Sequence, residues 1–457
     1  MFDELNKKIK ELTKAEKICW IVLAAGLVLK IVYACIVPYY YSPHDLGSVA
    51  MQPADFYGDS FGLGHLSYIQ YMYWSKTLPF FYYGQYYHPP LFYIIASFFY
   101  GTFKPDIGDA QTITLAFEYV QIINMIFSWV STVFCYKILK KIKVRDGFLV
   151  AGTVFLSLCP IFYIIGGEMN NDSLVTLFIL MTIYFTLKWT EQPTIKNIIV
   201  IALSIAFAML SKTSGGIIAV SVAFVFLYEL IKNKENYMQY IKQYFVFGVI
   251  CVPLGLSWVI RQKIMFGLPF SHVNSLPVES SQYIGNVPLG KRFGLPTINQ
   301  LLSYSIDFNK CVENNNNIWG QTFITMNFDE GIFNITNGFG QFCAIALLWI
   351  SIIICLICLV CLVCNLISKK IKPEVKLMIA VNYFVFMISY VLFAIKYPQV
   401  CTLNFRYIVV SLPCLICAYG LFQSGREKNK GILDVIMYLF MGAGSVLSLI
   451  ICMGYAV

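Results

Sequence analysis

From Cys19 onward the chain repeats one unit, an apolar run of roughly twenty residues followed by a polar break, and runs of that length cross a hydrocarbon core of ~30 Å as helices. They fall near 18–37, 119–137, 148–165, 173–189, 197–210, 214–231, 243–260, 341–364, 377–395, 403–421 and 433–455. Backbone groups in lipid must be paired within the segment, so the pattern predicts an all-α polytopic membrane protein of about eleven transmembrane helices. One more apolar run, 91–103, starts after Pro89-Pro90 and ends at Gly101-Thr102. Its length suits an interfacial or re-entrant segment.

The polar breaks decide the topology. Basic residues cluster at Lys7–Lys17, Lys137–Arg145, Lys188 and Lys196, Lys232–Lys242, Lys369–Lys376 and Arg426–Lys430. If 91–103 does not cross, every one of these clusters falls on one side. The positive-inside bias then expects a cytosolic N-terminus and an outer C-terminus. Residues 1–17 read as a cytosolic amphipathic stretch, and the first span reads as a retained anchor because no small-residue cleavage pattern follows it. A module over 18–260 holds a long outer loop, 38–118, in which amphipathic juxtamembrane helices are expected. A second long outer loop covers 261–340, and the last helices lie in 341–457.

Composition agrees and narrows the classes. Hydrophobic residues make up 58%, charged residues 12%, and the mean hydropathy is +0.68, against roughly a quarter charged in soluble chains. The net charge of +9 is a topology signal, so no nucleic-acid partner is expected. The 15 cysteines lie mostly inside apolar runs, where Cys355, Cys358, Cys361 and Cys364 read as small apolar side chains, and no disulfide framework follows.

Titratable groups concentrate in the first outer loop. It holds Ser42-Pro43-His44-Asp45-Leu46-Gly47, then Gly64-His65, then His88-Pro89-Pro90-Leu91. Asp45 is the leading catalytic candidate, because a carboxylate can take the proton of an attacking hydroxyl. Its plain alternative is a cap on a helix starting near Leu46. His88 is held by two prolines that open the next segment. His65 belongs to an amphipathic stretch, Gly64–Trp74, expected to lie on the membrane face. The other outer breaks carry Glu168, Asn171 and Asp172, then Ser211-Lys212, then Asn404-Phe405-Arg406-Tyr407. Glu168 and Asp172, four apart, would share a helix face. With His65 or His88 they form a candidate ligand set for a divalent cation. Lys212 and Arg406 are the natural anion holders, set against snorkelling for Lys212 and a structural ion pair for Arg406.

Together these residues resemble the lipid-linked-sugar glycosyltransferases of the glycosyltransferase-C fold, the protein O-mannosyltransferase and aminoarabinose transferase superfamily. The matching elements are Asp45 after the first span, His88-Pro89-Pro90-Leu91, Asn171-Asp172-Ser173-Leu174, Ser211-Lys212 and Asn404-Phe405-Arg406-Tyr407. The resemblance implies inverting transfer of a sugar from a polyprenyl-phosphate donor to an acceptor hydroxyl at the extracytoplasmic face, in a bacterial plasma membrane. It makes Asp45 the general base and places Lys212 and Arg406 on the lipid phosphate. His44, His65, His88, Glu168, Asn171, Asp172 and Tyr407 would line the substrate site. The acceptor would be a protein, a lipid or a wall glycan. Relatives often carry two adjacent acids after the first span, where this chain has His44-Asp45-Leu46. They often carry Arg at the start of the second, where it has Ala116-Phe117-Glu118-Tyr119.

A secondary transporter of a small polar or lipid-linked solute is the rival from another class. Transporters gather ionisable groups near the midplane, whereas Lys30 is nearly the only charge well inside a run here. A membrane O-acyltransferase would need a histidine in the membrane pathway, and all four fall in outer loops on this map.

Overall fold

The structure is a computed structural model. It describes residues 11–456 except 42, 43, 45, 48, 50–62, 299, 300, 302–315, 331, 332, 334 and 427–430. Asp45 and Asn334 therefore lie outside the described residues. The described chain is helical, and its only β-pairings are two isolated bridges, Tyr283 with Gln399 and Phe333 with Ala456.

Helix α1 (Lys14–Ile36) begins at a reciprocal cap. Thr13 Oγ1 accepts from Glu16 N (3.2 Å), and Glu16 Oε2 accepts from Thr13 N (3.1 Å). After the first loop come α2 (His65–Ser75), α3 (Leu91–Tyr100) and the long α4 (Ala110–Lys141). Asp109 caps α4, and Lys140 and Lys141 end it where cations favour the helix dipole. The next run is broken into α5 (Asp146–Leu158) and α6 (Pro160–Gly167), because Pro160 cannot continue the ladder but suits a helix start. Then follow α7 (Asp172–Glu191), α8 (Ile195–Ser211), α9 (Ile218–Lys232) and α10 (Tyr237–Phe266), with α8 packed between α7 and α10. A short α11 (Ile318–Phe328) precedes α12 (Gly338–Ile367), α13 (Asn382–Lys396), α14 (Ser411–Ser424) and α15 (Ile432–Gly454).

Each of the eleven expected runs falls on helix. Among the described residues, nine helices are long and apolar enough to cross a membrane. A tenth is added if Val400–Tyr407 and Ser411–Ser424, bent by 47°, count as one span. Helix α8, with 17 residues, is a shorter apolar helix, so the count of eleven stands only if it also crosses.

The run 91–103 is placed by the pairing of α1 with α4. Lys140 meets Glu16 at one end (2.5 Å). At the other, Gln121 Nε2 donates to Val37 O (3.1 Å) and Gly167 O (2.9 Å). These points are roughly 28 Å apart along α4 at ~1.5 Å per residue, about the thickness of a hydrocarbon core. Helices α1 and α4 are therefore antiparallel, and the segment joining them starts and ends at one end of the bundle. The ten-residue α3 does not cross.

The basic clusters gather at the opposite end. Arg145 donates to Arg426 O (2.7 Å), Lys141 pairs with Glu191 (2.5 Å), Lys232 with Glu374 (3.8 Å), and Lys370 donates to Gly425 O (2.9 Å). These contacts bring the basic clusters together at one end of the bundle. Outward positions on α10, such as Phe245, Val249 and Val252, stay exposed and apolar, as lipid-facing surface requires. Cys358 and Cys361 of α12 pack in the main apolar core.

Two expectations change. Helix α2 does not lie with a free face on a membrane surface: every residue from His65 to Met72 is buried. It is sunk because Leu66 N donates to Leu46 O (3.1 Å) and Gly64 packs so closely on Leu46 and Gly47 that a Cβ there would overlap their backbone. Among the described residues Leu46, Gly47 and Val49 are not helical, so the helix expected to start near Leu46 is not seen at Leu46. Lys30, inside α1, is fully buried, with Nζ donating to Ser157 O (3.2 Å) and lying 3.6 Å from the Tyr163 ring centroid.

Candidate active site

At the end of the bundle opposite the basic clusters, two groups of polar residues adjoin. The first centres on His44. Its Nε2 lies 2.8 Å from Asp329 Oδ1 and 3.5 Å from Glu168 Oε1, and its Nδ1 lies 3.8 Å from Glu330 Oε2. Asn404 Nδ2 donates to Asp329 Oδ1 and to Glu330 Oε1, each at 3.0 Å. Asn404 is itself fixed, since its Oδ1 accepts from Arg406 N (2.9 Å).

Local structure sets these groups. Glu168 caps the C-terminus of α6, and Asn124 of α4 reaches across to donate to its carbonyl. Asn170 donates to the Glu168 carboxylate and accepts from Asp172 N (2.9 Å), which starts α7. Asp329 follows α11 at φ 52°, a left-handed conformation that costs a non-glycine residue ~1–3 kcal/mol.

Burial and charge then divide the titration. Burial lowers the His44 imidazole and Arg406 adds to that, but Asp329, Glu168 and Glu330 outweigh both and push it up to about 9. At neutral pH His44 is therefore an imidazolium. Burial raises the Glu168 carboxyl, its closeness to Asp329 adds to this, and His44 only partly offsets them. Asp329 is held below the usual carboxylate range despite its burial, because His44 and Asn404 hydrogen-bond it.

The second group lines a cleft that is partly open to solvent. Lys212 forms an ion pair with Asp172 inside it. Lys212 is part-buried and Arg406 buried, the Arg406 Nη2 donating to Tyr407 Oη (3.2 Å) while its Nε has no partner among the described residues. The Tyr407 ring lies 4.9 Å from Lys212 Nζ. Asn171 sits on the same wall and donates to Ser211 O (2.6 Å).

Histidines form the facing wall. His65 and His88 stack with ring centroids 5.7 Å apart, and His65 Nδ1 is 2.7 Å from Tyr93 Oη. Burial, with His65, Lys212 and Arg406 nearby, drives the His88 imidazole well below its usual pKa and keeps it neutral. His272, from the second long loop, closes the cleft, its ring 5.8 Å from Tyr87.

The sequence candidates thus separate. His65, His88, Asn171, Asp172, Lys212, Arg406 and Tyr407 line one cleft, while His44 and Glu168 belong to the carboxylate group beside it. Glu168 and Asp172 do not share a helix face, because a turn over 168–171 separates α6 from α7. The trio of Glu168, Asp172 and His88 is likewise divided. Asp172 is neutralised by Lys212, His88 stacks on His65, and Glu168 meets His44 and Asp329 instead. Asp329 and Asn404 were not among the candidate site residues. Their signal was an acidic pair, Asp329-Glu330, in an otherwise Asn- and aromatic-rich loop, and the asparagine two residues before Arg406.

The cleft takes walls from Gln85–His88, Asn171–Asp172 and Lys212–Ile217, which lie in or just before the stretch that a known family matches. Residues 88–258 match the family model for dolichyl-phosphate-mannose-protein mannosyltransferases. The resemblance to lipid-linked-sugar glycosyltransferases holds over that stretch. It opens on the His88-Pro89-Pro90-Leu91 motif and takes in Asp172 and Lys212. No curated protein matches the chain by sequence.

Solved structures to which the chain shows some similarity include the S. cerevisiae protein O-mannosyltransferase Pmt1-Pmt2 complex bound to the sugar donor. There the identity is 12% and the TM-score 0.40, with 60% of this chain and 36% of that one covered. The chain therefore spans little more than a third of that yeast chain. ArnT from Cupriavidus metallidurans in the apo state has 13% identity and a TM-score of 0.38, covering 96% and 78% of the two chains. The same ArnT bound to undecaprenyl phosphate gives 12%, 0.37, 95% and 77%.

Proposed function

We propose that the protein transfers a sugar from a polyprenyl-phosphate carrier to an acceptor hydroxyl, with inversion at the anomeric carbon. The observation that carries this reading is the pair of cations on one cleft wall, buried Arg406 and part-buried Lys212, with Arg406 Nε unpartnered among the described residues. A phosphate leaving group develops charge as its bond to the sugar breaks, and fixed cations in a water-poor site stabilise that charge. Lys212 acts as a point charge oriented by Asp172, and Arg406 supplies the planar donor edge. The aromatic rings of Tyr87, Tyr390 and Tyr407 give the cleft apolar surface for a sugar face or the first prenyl carbons.

Asp45 serves as the general base in this reading. The acceptor oxygen attacks the anomeric carbon, the bond from that carbon to the phosphate oxygen breaks, and polyprenyl phosphate leaves with the electron pair. The acceptor proton passes to the Asp45 carboxylate. The membrane is a bacterial plasma membrane with the basic end of the bundle in the cytosol and the cleft outside. The acceptor is a protein, lipid or wall-glycan hydroxyl.

Purified protein given a polyprenyl-phosphate sugar tests this by release of polyprenyl phosphate. Neither binding nor turnover of any such donor would overturn the reading. Comparing cell-surface glycans and glycoproteins with and without the chain identifies sugar and acceptor.

A further inference from the structure

We propose that His44, Glu168 and Asp329 form a binding site for one divalent transition-metal ion, Mn²⁺ or Zn²⁺. The three come from the first loop, the end of α6 and the segment after α11, and one ligand atom from each lies within 4.8 Å of the others. The two separations from His44 fit a shared ion. Two ligands ~2.1 Å from one metal are ~3.0 Å apart at a right angle and ~3.4 Å apart at a tetrahedral angle. The observed separations from His44 Nε2 are 2.8 Å to Asp329 Oδ1 and 3.5 Å to Glu168 Oε1.

A second observation points to a ligand. Among the described residues Glu168 Oε1 and Asp329 Oδ2 have no hydrogen-bond partner, although both residues are only 1% exposed. A buried carboxylate oxygen left unpaired is costly, and two such oxygens in one cluster offer lone pairs that a metal ion can take up. The groups behind the ligands are already fixed. Asn170 holds Glu168, Asn404 holds Asp329, and Asn404 is anchored on Arg406 N. Such outer partners orient metal ligands.

The ligand set selects the metal. One imidazole nitrogen and two carboxylates suit Mn²⁺ or Zn²⁺, whereas Ca²⁺ and Mg²⁺ favour all-oxygen sites. On binding, the ion takes the place of the proton that His44 Nε2 shares with Asp329, and that proton leaves to solvent. Three protein ligands leave coordination positions free for water or a substrate oxygen. The site does not rest on the glycosyl-transfer reading, since it follows from the ligand atoms alone.

Full-length protein in detergent, stripped with chelator and desalted, is titrated with Mn²⁺ while free Mn²⁺ is followed by electron paramagnetic resonance. Zn²⁺ content after dialysis is measured by mass spectrometry. One equivalent per chain is expected. His44→Ala, Asp329→Asn and the near-isosteric Glu168→Gln should each weaken binding by roughly 10–100-fold or more, since even outer-partner changes cost that much. A variant that does not fold is replaced by the thermal shift of wild-type protein, which should rise with Mn²⁺ or Zn²⁺ and not with Mg²⁺. Absence of stoichiometric binding, or binding unchanged in all folded variants, overturns the site. Donor turnover is scored separately, so a failed metal titration leaves glycosyl transfer standing, and the reverse.

Discussion

Replacing Arg406 with lysine is the sharpest probe of the cleft, because it keeps the charge and removes the planar donor edge. In the structure Arg406 Nη2 is engaged by Tyr407 Oη at 3.2 Å, while Nε is buried without a partner. If that edge receives a donor phosphate, Arg406 contributes a charge-assisted hydrogen bond that a lysine head cannot duplicate beside Lys212. Hydrogen bonds to charged groups contribute ~1.5–3 kcal/mol, and each 1.4 kcal/mol is about tenfold. Arg406→Lys should therefore lower kcat/KM for a polyprenyl-phosphate sugar roughly 10- to 150-fold. Thermal unfolding serves as the control, since the retained cation still faces the buried carboxylates and the melting temperature should change little. Activity within about twofold of wild type, in a protein that remains folded, would refute phosphate recognition by the Arg406 edge.

Other predictions address the base, the fold and the sidedness. Asp45→Asn should abolish transfer while leaving the melting temperature near wild type, and full activity would remove Asp45 as the base. Gly64→Ala should destabilise the protein by at least ~1–3 kcal/mol, read by unfolding, because its Cβ would overlap the Leu46–Gly47 backbone. Trp189→Phe removes the bond from its Nε1 to Gln243 Oε1 (2.6 Å) and leaves a buried acceptor, a cost of ~1–3 kcal/mol; an unchanged unfolding curve would contradict it. Cysteines placed at Lys143 and Lys370 should react with impermeant reagent from one membrane face, and one at Tyr83 from the other. Shared labelling would mean that α3 crosses.

The spans were legible because each is a local property: a run of apolar residues carries its own backbone pairing and needs no partner to be recognised. The basic clusters were legible for the same reason, and their summed positions predicted which helix ends meet. The cleft was partly legible, since His88, Asp172, Lys212 and Arg406 each stand at a break between spans. What pairs with what was not. His44 and Asp329 are 285 residues apart, and nothing local in either marks the other. The face-sharing expected of Glu168 and Asp172 failed because residues 168–171 form a turn instead of continuing α6. The burial of α2 was hidden in Gly64, whose missing side chain lets the first loop press against the helix start.

The His44 cluster also sets an order of assembly. Its members come from the first loop, the turn after α6, the segment after α11 and the break before α14. During synthesis the His44 ring exists long before Asp329, and Asp329 before the Asn404 amide that steadies it. Until Asn404 is made, Asp329 and Glu330 lack the amide that donates to both. Early spans can settle on one another by apolar packing alone, but this end of the bundle closes only when the penultimate helix arrives. A chain truncated before Leu403 should insert most of its helices and yet leave its first loop open to protease, which makes closure of that loop a report on completion of the whole protein.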